Sequence, residues 1–217
     1  VLERKVRAVM GGGESVGGFI ASVAAPTPAP GGGSVAAHAG ALAAALAQMV
    51  AGLTVGKKKY AAVESEMKEI ALQAASLVNE LSALIKRDAE AYSQVMASYK
   101  LPGESDADAA NKKRAVTAAL LGAAEVPLET ARACLRVMEL AAAVAARGNT
   151  NAVSDAGVAA LLADAACKGA CYNVRINVAA LEDKSKGARL VEECERLRSL
   201  AAERLNAVTT MVERAIV

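Results

Sequence analysis

From Ser15 to Gly56 the chain has no Lys, Arg, Asp or Glu, and beyond Gly56 apolar residues recur every three or four positions almost to the end. Inside the uncharged stretch, Ser34–Thr54 is mostly Ala and Gly, which predicts a helix of small side chains buried at the centre of a bundle. A second helix is expected from just after Gly56 to about Lys100, because Ile70, Ala74, Leu77, Leu81, Leu84, Ala91 and Val95 fall on one face. Asp88 occupies the core position between Leu84 and Ala91, and Leu101-Pro102-Gly103 ends the helix. A charged-then-apolar segment from about Asp106 to Glu125 leads to Pro127, and proline's preference for the first helical turn predicts a new helix there. Gly148-Asn149-Thr150-Asn151 reads as a loop, followed by a helix from about Val153 past Cys171. The last helix, from about Gly187, places Leu190, Cys194, Leu197, Ala201, Leu205, Val208 and Val212 on one face. No segment alternates as a strand would. The expected fold is all-α: a single-domain bundle of six to eight helices over residues 15–217, with residues 1–14 a linker or extension remnant.

Composition narrows the function classes. Of 217 residues 54% are hydrophobic but only 2% aromatic, so the core must be built from Ala, Leu, Val and Met. A net charge of +2 with so few stacking platforms argues against a nucleic-acid partner. Ser34–Thr54 is long enough to cross a bilayer, yet its Ala and Gly content and its His38 and Gln48 favour a buried helix over a membrane span. The apolar run begins too late for a signal peptide and the preceding residues carry both charge signs, so a cytoplasmic location and no membrane partner are expected. Cys134, Cys167, Cys171 and Cys194 form no Cys-x-x-Cys pair and the chain has one histidine, which predicts buried thiols, no metal site and no permanently bound cofactor.

The candidate chemistry starts at Pro26-Thr-Pro-Ala-Pro-Gly-Gly-Gly-Ser34. Alternating prolines hold the chain extended, Gly31, Gly32 and Gly33 clear the approach, and Ser34 is a good N-cap. The free N–H groups of such a helix start attract a carboxylate, phosphate or polarised carbonyl, although a glycine-rich turn can also be mere packing. No Gly-Lys-Ser/Thr follows, so it is not a nucleotide P-loop. Asp88, a carboxylate on an apolar stripe, must have either a structural partner or chemical work. Asp155 near a helix start serves the dipole or projects into a site. Lys57, Lys58 and Lys59 are either a solvated helix end or an anion receiver, and Asn149, Asn151, Asn173 and Asn177 either turn residues and caps or ligand contacts. His38, one turn beyond Ser34, reads as a satisfied buried histidine or a ligand-facing one.

Taken in order, Pro28-Ala-Pro-Gly-Gly-Gly-Ser-Val-Ala-Ala37, Met49-Val50 with Leu53-Thr54, Gly56-Lys-Lys-Lys-Tyr60, Asp88-Ala-Glu-Ala-Tyr92, Leu101-Pro102, Val126-Pro127-Leu128, Gly148-Asn149 with Ser154-Asp155, and Asn173-Val174-x-Ile-Asn177 resemble the formiminotetrahydrofolate cyclodeaminase family from about Val16 to Val212. The resemblance implies an all-helical domain that forms homodimers, with folate in a cleft near the subunit interface. Members occur as the C-terminal half of bifunctional formiminotransferase-cyclodeaminase or as free-standing proteins, some of them methenyltetrahydrofolate cyclohydrolases. The expected reaction is cyclisation of 5-formiminotetrahydrofolate to 5,10-methenyltetrahydrofolate with release of ammonia; the alternatives are cyclohydrolase activity and a folate-binding dimer without turnover. On this reading Asp88 and Asp155 are the acid and base, opening onto one cavity. Lys57, Lys58 and Lys59 attract the polyglutamate tail, and Gly31, Gly32, Gly33 and Ser34 hold a pterin carbonyl or a tail carboxylate, with Asn149, Asn173 and Asn177 as further contacts. A formiminotransferase domain in the parent protein is a possible partner. His38 stands where the family carries a small or apolar residue and receives no shared role.

Overall fold

The computed structural model describes residues 15–216, so the expected linker at 1–14 lies outside the described residues. Among the described residues six α-helices follow one another: α1 (Val16–Ala24), α2 (Gly32–Thr54), α3 (Glu64–Tyr99), α4 (Asp106–Arg147), α5 (Val153–Ala179) and α6 (Ala188–Ile216). Short 3-10 segments lie at Lys58–Val63 between α2 and α3, at Thr150–Ala152 between α4 and α5 and at Lys184–Gly187 between α5 and α6, and no strand occurs among the described residues. The all-α bundle read from periodicity is the observed architecture.

Helix α2 packs against α3, α4 and α5, while α5 packs in turn on α4 and α6. Small side chains set the spacing. A β-carbon added at Gly40 would lie 2.9 Å from Cys134 Sγ and 3.1 Å from Leu81, so glycine there permits the α2–α3–α4 approach. All seven predicted stripe residues of α3 are buried, and Met67, Leu81, Leu84, Leu128, Met138 and Val174 are among the largest side chains sealed in the core. Methionine fits the gaps that alanines leave. On its outer side α2 stays open, with Val35, Leu42, Met49 and Leu53 exposed. Outside the core, Arg87–Glu129, Arg136–Glu80 and Arg147–Glu66 lace α3 to α4, and Arg132–Glu193 and Arg204–Glu139 lace α4 to α6.

One helix boundary differs from expectation. Pro127 starts no helix; it sits buried inside the 42-residue α4. Proline has no N–H, so the carbonyl four residues earlier, that of Ala123, loses its helical donor. The Asn177 side chain on α5 replaces it: Nδ2 donates to Ala123 O at 2.9 Å and to Asn173 O at 2.9 Å. With that carbonyl satisfied, the helix runs through the proline.

Candidate functional site

The glycine loop and Asp88 meet. Ala25–Pro30 is a series of bends with a cis Ala29–Pro30 bond rather than a uniformly extended arm, and it delivers the chain to Gly31, the residue that caps α2. Ser34 is therefore not the N-cap; it is the third residue of the helix. Its hydroxyl serves the neighbouring helix instead, lying 2.8 Å from Asp88 Oδ2 and 3.3 Å from the Ile85 carbonyl. Gly31 makes no side-chain cap bond, so the first-turn N–H groups remain without a side-chain acceptor.

A β-carbon on Gly33 would overlap the carboxylate of Asp88, coming within 2.6 Å of Cγ. Glycine is thus required for the carboxylate to lie over the helix start. Asp88 is half-buried and makes no ion pair among the described residues; its hydrogen-bond partner is Ser34. No cation among the described residues holds Asp88; the Ser34 hydroxyl and the helix start beside it are partners that a structural carboxylate and a reacting one would share.

Open space is present. A cavity of about 400 Å³ is lined by Gly31, Gly32, Gly33, Asp88, Tyr92, Met96, Tyr99, Leu120, Ala123, Asn173, Ile176 and Asn177. Asn173 Nδ2 donates to the Gly169 carbonyl at 2.9 Å, and the Nδ2 of Asn177 is occupied as described, which leaves their amide oxygens as acceptors for a ligand. Tyr92, Met96 and Tyr99 were missed in the sequence. They continue from Asp88 along α3 at spacings of four, four and three, beside the core stripe through Ala91 and Val95 and not on it.

The other expected site residues are elsewhere. Lys57, Lys58 and Lys59 follow the far end of α2, about 30 Å along the helix from Gly33. Lys59 Nζ and Tyr60 Oη lie 3.5 and 3.2 Å from Thr150 Oγ1 there, and hydrogen bonding with the Thr150 side chain and N–H lowers the Tyr60 phenol to about 8. Asn149 closes the same end. Its N–H donates to Thr54 Oγ1 at 2.8 Å, its Nδ2 to Leu53 O at 3.2 Å, and its Oδ1 accepts from Asn151 N at 3.2 Å. These bonds make it a structural clamp. Asp155 is in the first turn of α5, eighteen residues or about 27 Å from Asn173. Within one chain Asp88 and Asp155 therefore do not share a cavity, which corrects that expectation; Lys57, Lys58 and Lys59 are likewise separated from the glycine loop by the full length of α2. His38 packs against the Phe19 ring, centroids 4.6 Å apart, outside the cavity lining.

Comparison with known proteins identifies the family of the chain. A family model described as Formiminotransferase-cyclodeaminase matches residues 15–196. A methenyltetrahydrofolate cyclohydrolase from Methylorubrum extorquens is 40% identical over 87% of this chain and 90% of its own length. A formimidoyltransferase-cyclodeaminase from Gallus gallus is 31% identical over 92% of this chain, which spans only 37% of that protein. The crystal structure of formiminotetrahydrofolate cyclodeaminase from Thermotoga maritima superposes with a TM-score of 0.84 at 33% identity, covering 94% of this chain and 98% of the other. The chain belongs to the formiminotransferase-cyclodeaminase family, and its cavity at the start of α2 is the candidate site of that family's chemistry in this protein.

Proposed function

We propose that this chain acts on the one-carbon bridge between N5 and N10 of tetrahydrofolate, cyclising 5-formiminotetrahydrofolate to 5,10-methenyltetrahydrofolate with release of ammonia. The observation that carries this reading is the unpaired carboxylate of Asp88, held by Ser34 over an uncapped helix start and open to a cavity. In the reaction N10 attacks the formimino carbon, its N–H proton is removed, and the same proton is returned to the departing nitrogen, which leaves as ammonia. A single carboxylate beside the bridge carries out both transfers, and its negative charge stabilises the amidinium and methenyl cations on either side of the tetrahedral intermediate. Asp155 is not needed in this scheme. The tyrosines Tyr92 and Tyr99 offer the apolar faces a bicyclic pterin requires, and the amide oxygens of Asn173 and Asn177 accept from its N–H groups.

A second reading, hydrolysis of 5,10-methenyltetrahydrofolate to 10-formyltetrahydrofolate, is favoured by the 40% identity to a cyclohydrolase matched over nearly its whole length. Here Asp88 takes the proton from a water attacking the bridge carbon. A linked formiminotransferase domain, as in the name of the chicken relative, belongs to the first reading.

The homodimer is part of the proposal. On α2 residues 35, 39, 42, 46, 49 and 53 step by four and three along the open face, Leu42 is 48% exposed and Ile20 of α1 62%. Ile176 of α5 is 67% exposed and also lines the cavity, so a second copy that covered it would border the site. Sedimentation of the wild type and of Leu42→Glu tests this: a dimer converted to monomer supports it, and a monomeric wild type overturns it.

The activity is tested by following the near-ultraviolet methenyl chromophore from both sides. Protein-dependent appearance from 5-formiminotetrahydrofolate with ammonia release supports cyclodeaminase, and accelerated loss from 5,10-methenyltetrahydrofolate supports cyclohydrolase. Binding with neither rate above background leaves a folate-binding dimer.

A further inference from the structure

Helix α2 is mostly Ala and Gly, and its two hydroxyl side chains, Ser34 and Thr54, are both buried. Thr54 does what a helical hydroxyl ordinarily does: Oγ1 donates back to the Val50 carbonyl, four residues earlier, at 2.7 Å, as Ser82, Ser93 and Thr117 do to Val78, Ala89 and Lys113. Ser34 does not. Its Oγ crosses to α3, where Asp88 Oδ2 at 2.8 Å and the Ile85 carbonyl at 3.3 Å are both within reach. A hydroxyl has one hydrogen, so it serves one of these at a time, and the shorter bond, to the carboxylate, is the stronger. Ser34 is fully buried and is not among the residues that line the cavity, so its effect on a bound substrate passes through Asp88. The other carboxylate oxygen, Oδ1, has no hydrogen-bond partner among the described residues.

We propose that Ser34 is a positioning residue for the reaction: its hydroxyl holds Oδ2 of Asp88 and leaves Oδ1 as the oxygen that takes the proton of the attacking group and returns it to the departing nitrogen. The inference rests on the folate reading above. A free carboxylate turns easily about its Cβ–Cγ bond and exchanges its two oxygens. One bond to Oδ2 opposes that exchange, and the missing side chain at Gly33 leaves the group room to lie there. The protons balance. The N–H or O–H bond of the attacking group breaks as an Oδ1–H bond forms; Oδ1–H then breaks as an N–H bond forms on the departing nitrogen, and Ser34 keeps its own hydrogen throughout. While Oδ1 carries the proton, Oδ2 is the carbonyl oxygen of a neutral acid and still accepts from Ser34. The Ile85 carbonyl covers the remaining state: with the proton on Oδ2, that O–H donates to Ser34 Oγ and the serine hydrogen turns to Ile85. No state leaves the buried hydroxyl unmatched, so the carboxyl group stays in place as its charge comes and goes.

The test measures kcat and KM, with whichever of the two folates the wild type turns over, for the wild type, Ser34→Ala, Ser34→Thr, Ser34→Val, Asp88→Asn and the double variant Ser34→Ala/Asp88→Asn. Ser34→Ala is expected to lower kcat on the order of tenfold while KM changes little. Threonine and valine share a shape and differ in the hydroxyl, so Ser34→Thr should exceed Ser34→Val in kcat by a similar factor, a comparison that holds even where the added methyl slows both. In the Asp88→Asn background no carboxylate moves a proton, and Ser34→Ala should change kcat by less than about twofold. A serine that only packs α2 on α3 would lower the rate by the same factor in either background and would not separate Thr from Val. Equal kcat for the Thr and Val variants, wild-type kcat in Ser34→Ala, or the same loss in both backgrounds overturns the inference and leaves the folate reading standing. Failure of the wild type to turn over either folate overturns both.

Discussion

Gly33 and Asp88 occupy each other's space: the absence of a side chain on α2 is what lets a carboxylate from α3 lie across the first turn. Gly33→Ala is expected to keep the fold, because the clashing group is the end of a side chain that can swing away, and because alanine is the better helix former. The carboxylate would be displaced by about 1 Å or more, enough to lower turnover roughly 100-fold. Circular dichroism and thermal unfolding close to wild type, with kcat reduced to that extent, is the expected pair of results; full activity would separate Asp88's position from catalysis.

Asp88→Asn keeps the size of the side chain and an oxygen for Ser34, but cannot carry a proton or neutralise a cation. Turnover should fall by about 100- to 10,000-fold while folate binding changes much less. Wild-type kcat in this variant would remove Asp88 from the mechanism.

The four cysteines are buried and free, and two of them line up between α5 and α6, with Cys171 Sγ donating to the Cys194 carbonyl at 3.6 Å. Burial pushes the Cys134 thiol up to about 12, and the hydrogen bond with Cys167 is the leading cause that raises Cys171 to about 12; contact with Cys171 raises Cys194 as well. At pH 8 only about one in ten thousand Cys134 or Cys171 side chains is thiolate, the reactive form. Because all four are buried, a thiol reagent at that pH should modify none of them in the folded protein over minutes and all four in denaturant. Rapid modification of the native protein would mean that the α5–α6 contact opens.

Arg132 ties α4 to α6, reaching Glu193 with two 2.8 Å bonds and Glu125 with a 2.7 Å bond. The bond from Arg132 is the leading cause that holds Glu193 below the usual carboxylate value of 4.5. A lowered carboxylate pKa contributes stability above the unfolded-state value and loses it as pH falls through the folded one. Arg132→Met should cost about 1 kcal/mol at pH 7, since the groups are partly solvated, and the difference from wild type should shrink steadily as pH drops below 4.5. Denaturant melts at several pH values measure this; a constant difference down to acid pH would assign the loss to the arginine stem's packing.

How far the sequence carries is seen by comparing residues. Ile70 to Val95 and Leu190 to Val212 were placed on buried or half-buried faces by spacing alone, since a 3.6-residue period leaves little freedom once the core is apolar. Asp88 was legible for the same reason, as a charge on that face. Lys57, Asn149 and Asp155 were grouped with the glycine loop by their chemistry and by the resemblance, with no measure of distance, but the 23-residue α2 puts Lys57 a helix length away and Asn149 closes that same far end. Tyr92 and Tyr99 were hidden because they fall just off the apolar stripe, and spacing along one helix does not show where its neighbours leave a gap beside it.

Pro127 was the least legible feature, because the residue that makes it tolerable lies 54 positions from the carbonyl it affects. Its position predicts a coupled pair. Asn177→Ala removes the donor to Ala123 O and leaves a buried carbonyl beside the cavity without its partner, a loss of about 1–3 kcal/mol. Pro127→Ala supplies a backbone N–H able to bond that same carbonyl, so in this background Asn177→Ala should cost clearly less. The double-mutant cycle, measured by denaturant unfolding, is expected to show a coupling of about 1 kcal/mol or more between residues that share a single acceptor. Strict additivity would mean that water satisfies the Ala123 carbonyl equally well. Because Ala123 and Asn177 also line the cavity, the same cycle read in KM separates a clamp from a ligand contact: a clamp recovers substrate affinity with Pro127→Ala, and a contact does not.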